Sequence, residues 1–118
     1  PRVAVAAWAL CAETEGEAER LASSSRMAFA HFLSGNLIQV PPVDTALSFL
    51  EEHAHLLETI VRRRRAIIGS PGVVRDRLEA LAAEYGADEV MVVTITYEHV
   101  ARRRSYELLA EAFDLVAY

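Results

Sequence analysis

The chain has 118 residues, 53% of them hydrophobic, and a mean hydropathy of +0.16, enough for one domain with a buried core. No apolar run approaches the roughly 20 residues needed to cross a bilayer, which argues against a membrane protein. The net charge of −5, from 12 basic and 17 acidic residues, argues against general nucleic-acid binding, and every basic residue is arginine.

In chain order, Val3 to Ala12 reads as a strand. It is apolar enough to imitate a signal-peptide core, but it lacks a basic leader and runs into an acidic helix. The single cysteine, Cys11, has no internal disulfide partner and reads as a buried inert thiol, which suits a reducing cytoplasm. Glu13 to Glu17 open a helix whose acidic first turn suits the positive end of the helix dipole, with Leu21, Ser25, Ala28, Phe29 and Phe32 as its apolar face. Ser34-Gly35-Asn36 ends it. Leu37 to Val43 carries Pro41 and Pro42 and must be extended, after which Asp44 is placed to cap a helix from Thr45 to about Arg65. That helix shows Leu47, Leu50, Ala54, Leu57, Ile60 and Val61 on one side, with a break expected near Glu51.

The stretch Ala66–Thr96 reads as a complete strand–helix–strand unit. Ala66-Ile67-Ile68 stops at Gly69; Ser70 offers an N-cap hydroxyl, and Pro71 presets the first helical turn. Val74, Leu78, Leu81, Ala82 and Tyr85 form one stripe of a 3.6-residue period, and Gly86 stands where a left-handed C-terminal residue belongs. Val90 to Thr96 is a β-branched, nearly uninterrupted apolar run, which predicts burial on both faces of a parallel sheet. The two strands of the unit are expected to be parallel neighbours joined right-handedly. A final helix is predicted from about Glu98 to Leu115, with Ala101, Tyr106, Leu109, Ala110 and Phe113 inward.

The resulting order is β-α-α-β-α-β-α. Three strands alone leave exposed sheet edges, so either the chain pairs with a copy of itself or it is a piece of something larger. A start at Pro1, not methionine, fits a fragment or a processed product.

Few residues suggest chemistry. His53 and His55 are two apart on a helix, point about 200° from one another and cannot share a metal ion, so no metal is expected. Arg62 to Arg65 suit a helix C-terminus, with binding of phosphate or an acidic partner as the alternative; Arg102 to Arg104 open the last helix, where ion pairs with Glu98 and Glu107 are the plain account. In parallel α/β folds ligands sit at the carboxyl ends of strands, which selects Trp8 to Ala12, Gly69 with Ser70, and Thr94 to His99. Ser70 and the N–H groups behind Pro71 offer an anion site as the alternative to plain capping. No nucleophile with a base, paired carboxylates or Gly-rich phosphate loop can be assembled.

The combination AIIGSPGVVRDRLEALAAEYGADEVMVVTITYEH followed by ARRRSYELLAEAF resembles the C-terminal end of the bacterial-luciferase-like flavin-dependent monooxygenases, and VAVAAWALCAETEGEAERLASSSR is similar to the family's preceding strand and helix. The resemblance spans nearly the whole chain. It implies an α/β fold made of the C-terminal three β/α units of a (β/α)8 TIM barrel, with residues 1–118 as a single partial domain holding the sixth to eighth strands and Leu37 to Arg65 inserted before the seventh. It implies reduced flavin, usually FMN and in some relatives the deazaflavin F420, used with O2 on a small organic substrate. A flavin reductase is the implied partner, while a second copy of the chain is the partner that the exposed strand edges suggest. Trp8, Gly69, Ser70, Tyr97 and His99 are the positions it places near the flavin cavity. The strands that supply most of the family's flavin grip precede this segment, so the chain by itself is expected to be incomplete and inactive. The other reading is a non-catalytic α/β module that self-associates through its strand edges.

Overall fold

In the computed structural model, which describes residues 2–63 and 65–115, the elements run β1 (Ala4–Cys11), α1 (Glu15–Leu33), α2 (Val43–Glu52), α3 (Ala54–Arg63), β2 (Ile67–Gly69), α4 (Pro71–Tyr85), β3 (Glu89–Val93) and α5 (His99–Ala112). The chain is a mixed α/β protein with a three-stranded, wholly parallel sheet and five helices among the described residues.

Strand order is β2-β1-β3. The first strand is therefore central, and the expectation that the two strands of the Ala66–Thr96 unit are neighbours is overturned. The physical reason lies in length: β2 has only three residues and pairs with Ala9 to Cys11, while β3 pairs along Ala4 to Trp8 on the other edge. A consecutive assignment of sixth, seventh and eighth barrel strands would have put β2 in the middle. Beside Ala4 to Trp8, the edge of β1 opposite β3 carries no strand among the described residues.

Side chains on a strand alternate between faces, and here the two faces differ. Ala7, Ala9, Cys11, Ile67, Val90 and Val92 pack on Val74 and Leu78 of α4 and on Leu108 and Leu109 of α5. On the opposite face, Leu10, Ala12 and Ile68 pack under Ala18, Leu21 and Ala22 of α1, together with Val43. α1 thus covers β2 and the carboxyl end of β1. Farther down that face, Ala4, Ala6 and Trp8 of β1 and Met91 and Val93 of β3 are exposed. The apolar run of β3 is consequently half-buried on one side and exposed on the other, not buried on both.

Local signals explain most helix ends. Thr14 caps α1, its hydroxyl accepting the Glu17 N–H at 3.2 Å. Gly86 ends α4 at φ 59°, in the left-handed region, and its N–H reaches the last carbonyls of the helix. The helix expected from Thr45 starts earlier, at Val43 behind Pro42, so Asp44 lies within the first turn instead of capping it. It breaks at His53, near the expected point, into α2 and α3. Leu50 and Ile60 are buried there with Ala30, forming a small separate core, whereas Leu47 and Val61 are exposed.

Candidate functional site

The carboxyl ends of the strands are fixed by Thr94, just after β3, and by side chains from α5. Beyond the Trp8–Val93 pair the β3 backbone leaves the ladder, and two hydroxyl groups take over its role. Thr94 Oγ1 donates to the Ala9 carbonyl at 2.7 Å, and Ser105 Oγ accepts the Cys11 N–H at 2.9 Å. On the other edge the Ala12 N–H reaches the Gly69 carbonyl at 3.2 Å. Buried backbone groups that would otherwise be orphaned are thereby paired.

The Tyr106 hydroxyl accepts the Thr94 N–H at 3.2 Å and lies 3.4 Å from the Val92 carbonyl, to which it donates. Arg102 Nε donates to the Thr94 carbonyl at 3.2 Å, and its guanidinium carbon sits 5.6 Å from the Tyr106 ring centroid. Burial pushes the Tyr106 phenol up, but hydrogen bonding with Thr94 and Arg102 and the Arg102 charge outweigh it, so the group titrates below its ordinary range. Arg104 pairs with Glu13 at 2.8 Å, tying α5 to the loop after β1, and reaches Glu107 at 3.8 Å. The expected pair with Glu107 is thus present, whereas Glu98 serves as the N-cap residue of α5 and, among the described residues, holds no arginine within ion-pair distance. Cys11 is fully buried; burial first, and then the Glu13 carboxylate, push its thiol up to about 11.

The residues selected from the sequence do not converge. Trp8 stands on the bare face, 46% exposed. Gly69 is buried, and a Cβ added there would come within 3.2 Å of the Val73 side chain, so its smallness serves the close approach of α4. Ser70 occupies the N-cap position of α4 by its backbone, and its carbonyl accepts the Val74 N–H at 3.0 Å, but its hydroxyl makes no capping bond. Tyr97 and His99 are exposed on the loop into α5 and at its first residue. His53 stacks on Phe49 at 4.3 Å and bonds the Phe49 carbonyl through Nδ1 at 2.9 Å. Among the described residues no group of three or more His, Cys, Asp or Glu side chains is placed to share a metal ion.

One cleft of ligand size touches this set. It has a volume of about 630 Å³ and is lined by Trp8, Phe29, Phe32, Leu37, Ile38 and Ile95 with Arg62, Arg63 and Arg65; Arg64 lies outside the described residues. Of the five positions suggested for a flavin, Trp8 alone borders it, so they do not form a cradle for an isoalloxazine and its phosphate. Sequence reasoning missed the part played by Thr94, Ser105 and Arg102 in closing the sheet. The available signal was the polarity of Ser105 on the inward stripe of α5.

Comparison with known proteins adds three curated relatives and one solved structure. The chain is 36% identical to the uncharacterized protein YwcH of Bacillus subtilis (strain 168) over 114 residues, covering 96% of this chain and 34% of YwcH. It is 33% identical to YceB and 31% identical to YvbT, both uncharacterized proteins of the same organism, covering 32% and 34% of them. The crystal structure of apo-MsnO8 superposes on the whole chain with a TM-score of 0.84 at 30% identity, covering 36% of that protein. No family model matches. The chain therefore spans about a third of the length of the proteins it matches.

Proposed function

We propose that this chain is the C-terminal part of a flavin-dependent, luciferase-like monooxygenase or related oxidoreductase, in which it forms one section of a (β/α)8 barrel wall. The observation that carries the reading is the one-sided covering of the β1–β3 pair. Over Ala4–Trp8 and Glu89–Val93, helices α4 and α5 cover one face, while Ala6, Trp8, Met91 and Val93 leave the other apolar and bare. A barrel wall has this property, with helices outside and side chains within. In this reading β1 and β3 are consecutive barrel strands and β2 is a short addition on the edge of β1. The resemblance of the Gly69-Ser70-Pro71 turn and the ADEVMVVTITYEH strand to that family supports it, as do the full-chain likeness to apo-MsnO8 and the match to proteins about three times as long.

The flavin, FMN before F420, would supply the oxygen chemistry; a protein of this kind supplies a dry pocket and orientation. The residues of this chain do not enclose a flavin, so its grip is assigned to the remainder of such a protein. A chimera in which this chain replaces the matching third of YwcH tests the assignment. The folded chimera should quench FMN fluorescence at micromolar concentration and take up O2 when given reduced FMN, while the 118-residue chain alone should do neither. A folded chimera without flavin binding would refute the proposal.

The open edges of β1 and β3 favour a second reading, a non-catalytic module that self-associates. Sizing chromatography separates the two: a stable homo-oligomer whose bare sheet face is protected supports self-association, and a monomer removes it. Among the described residues no helix is long and apolar enough to cross a membrane.

A further inference from the structure

We infer that Arg102 and Tyr106, on the helix-covered side of the sheet, are positioning residues for Ile95 on its other side, where Ile95 stands beside Trp8 in the wall of the cleft. Ile95 and Trp8 border that cleft together, and with Val93 they also border a water-sized gap of about 20 Å³ beneath Ala22 and Ser25 of α1. Ile95 lies two residues beyond Val93, whose pairing with Trp8 is the last rung of the β1–β3 ladder, so the sheet does not hold it.

The preceding residue holds it instead. All three polar groups of Thr94 are engaged: its N–H donates to the Tyr106 hydroxyl at 3.2 Å, its Oγ1 to the Ala9 carbonyl at 2.7 Å, and its carbonyl accepts Arg102 Nε at 3.2 Å. That carbonyl lies in the plane of the peptide joining Thr94 to Ile95, so fixing the oxygen fixes the direction in which Ile95 continues. Arg102 is otherwise poorly placed. It is exposed, so burial does not account for it, and it stands in the first turn of α5, where the helix dipole disfavours positive charge. The Thr94 carbonyl and the Tyr106 ring, whose centroid lies 5.6 Å from the guanidinium carbon, account for its presence there. A helix on one face of the sheet thereby sets the place of a side chain on the other, at the carboxyl end of a strand, where ligands of parallel α/β folds sit.

The inference rests on the flavoenzyme reading only for making this wall part of an interior site; the positioning itself is measured in the 118-residue chain. Trp8 is the only tryptophan, so its fluorescence reports from beside Ile95. Tyr106→Phe keeps the ring and Arg102→Met keeps most of the stem, and together they release the Thr94 N–H and carbonyl. This double variant should raise the acrylamide quenching constant of Trp8 at least about 1.5-fold. Arg102→Lys with Tyr106 intact keeps a donor and should stay near the wild-type value. Ser105→Ala is the control: Ser105 lies on the same helix but bonds Cys11, so its loss should loosen α5 and leave Trp8 unchanged. Circular dichroism checks that each variant folds. A double variant that matches the wild type, or an equal rise in Ser105→Ala, would overturn the inference. In a YwcH chimera that binds FMN, the double variant should raise the FMN midpoint at least about fivefold and Ser105→Ala less than about twofold. Equal midpoints for the double variant and the parent chimera would overturn the place of Ile95 in the site wall. A folded chimera that binds no FMN refutes the flavoenzyme reading, and the Trp8 result then decides the positioning alone.

Discussion

Ser105, on the fifth helix, accepts the backbone N–H of Cys11 at 2.9 Å, at the point where the central strand has outrun its neighbour β3. The two residues are 94 positions apart, and their contact closes the carboxyl end of the sheet. Ser105→Ala leaves a buried N–H unpaired and should cost about 1–3 kcal/mol in urea denaturation. Ser24 is equally buried but its hydroxyl has no partner among the described residues, so Ser24→Ala should be neutral or stabilising. Equal losses at both positions would show that the hydrogen bond contributes nothing.

The thiol of Cys11 titrates near 11 in the folded chain against 9.0 unperturbed. Because the folded pKa is the higher one, the folded state holds its proton longer; the associated stability is fully present below pH 9 and is lost as pH rises to about 11. Cys11→Ala should remove that part of the pH slope, seen as a flatter stability profile across the same window. Alkylation of native protein at pH 8 should be slow and should accelerate on unfolding. A wild-type alkylation rate matching that of the denatured chain would contradict the burial account.

Tyr106 shifts in the opposite direction. Its folded pKa is lowered by Thr94 and Arg102, so its contribution is present above the unfolded tyrosine pKa and is lost as pH falls through the folded one. Spectroscopic titration of the phenol should show Tyr106 ionising below the ordinary tyrosine range, and Arg102→Gln should move it back toward the ordinary value. No change in Arg102→Gln would remove the guanidinium as a cause.

Gly86 and Gly16 make a paired backbone test. Gly86 has φ 59°, so Gly86→Ala should destabilise by about 1 kcal/mol. Gly16 lies in the first turn of α1 with nothing within 4 Å of an added Cβ, and Gly16→Ala should stabilise by roughly 0.5–1 kcal/mol. Thermal melts read both signs.

Local grammar was legible in the sequence: the strand–helix–strand unit, the left-handed Gly86, the break near Glu51 and the α/β alternation all follow from spacing and turn chemistry. Strand order was not. Adjacency in sequence suggested that Ile67–Gly69 and Glu89–Val93 pair, but pairing is decided by which edge has room, and the long first strand offers one edge to each. The apolar run of β3 promised two buried faces because hydrophobicity records what a residue can bury against, not what this stretch of chain supplies. Met91 and Val93 are apolar and exposed for that reason. Of the positions proposed near a flavin, Trp8 reached a cleft, since the others were chosen by place along a strand and the cleft is closed by α1 and the end of α3.

The barrel-wall account is tested most directly by solvent access at Ala6, on the bare face of β1. A cysteine introduced by Ala6→Cys, with Cys11→Ala as background, should react rapidly with a thiol reagent in the 118-residue chain. In the YwcH chimera, with its own cysteines replaced, labelling at that position should slow by at least about a hundredfold as the face becomes barrel interior. Equal labelling rates in the folded chimera and the isolated chain would show that this face stays in water, and would contradict the account.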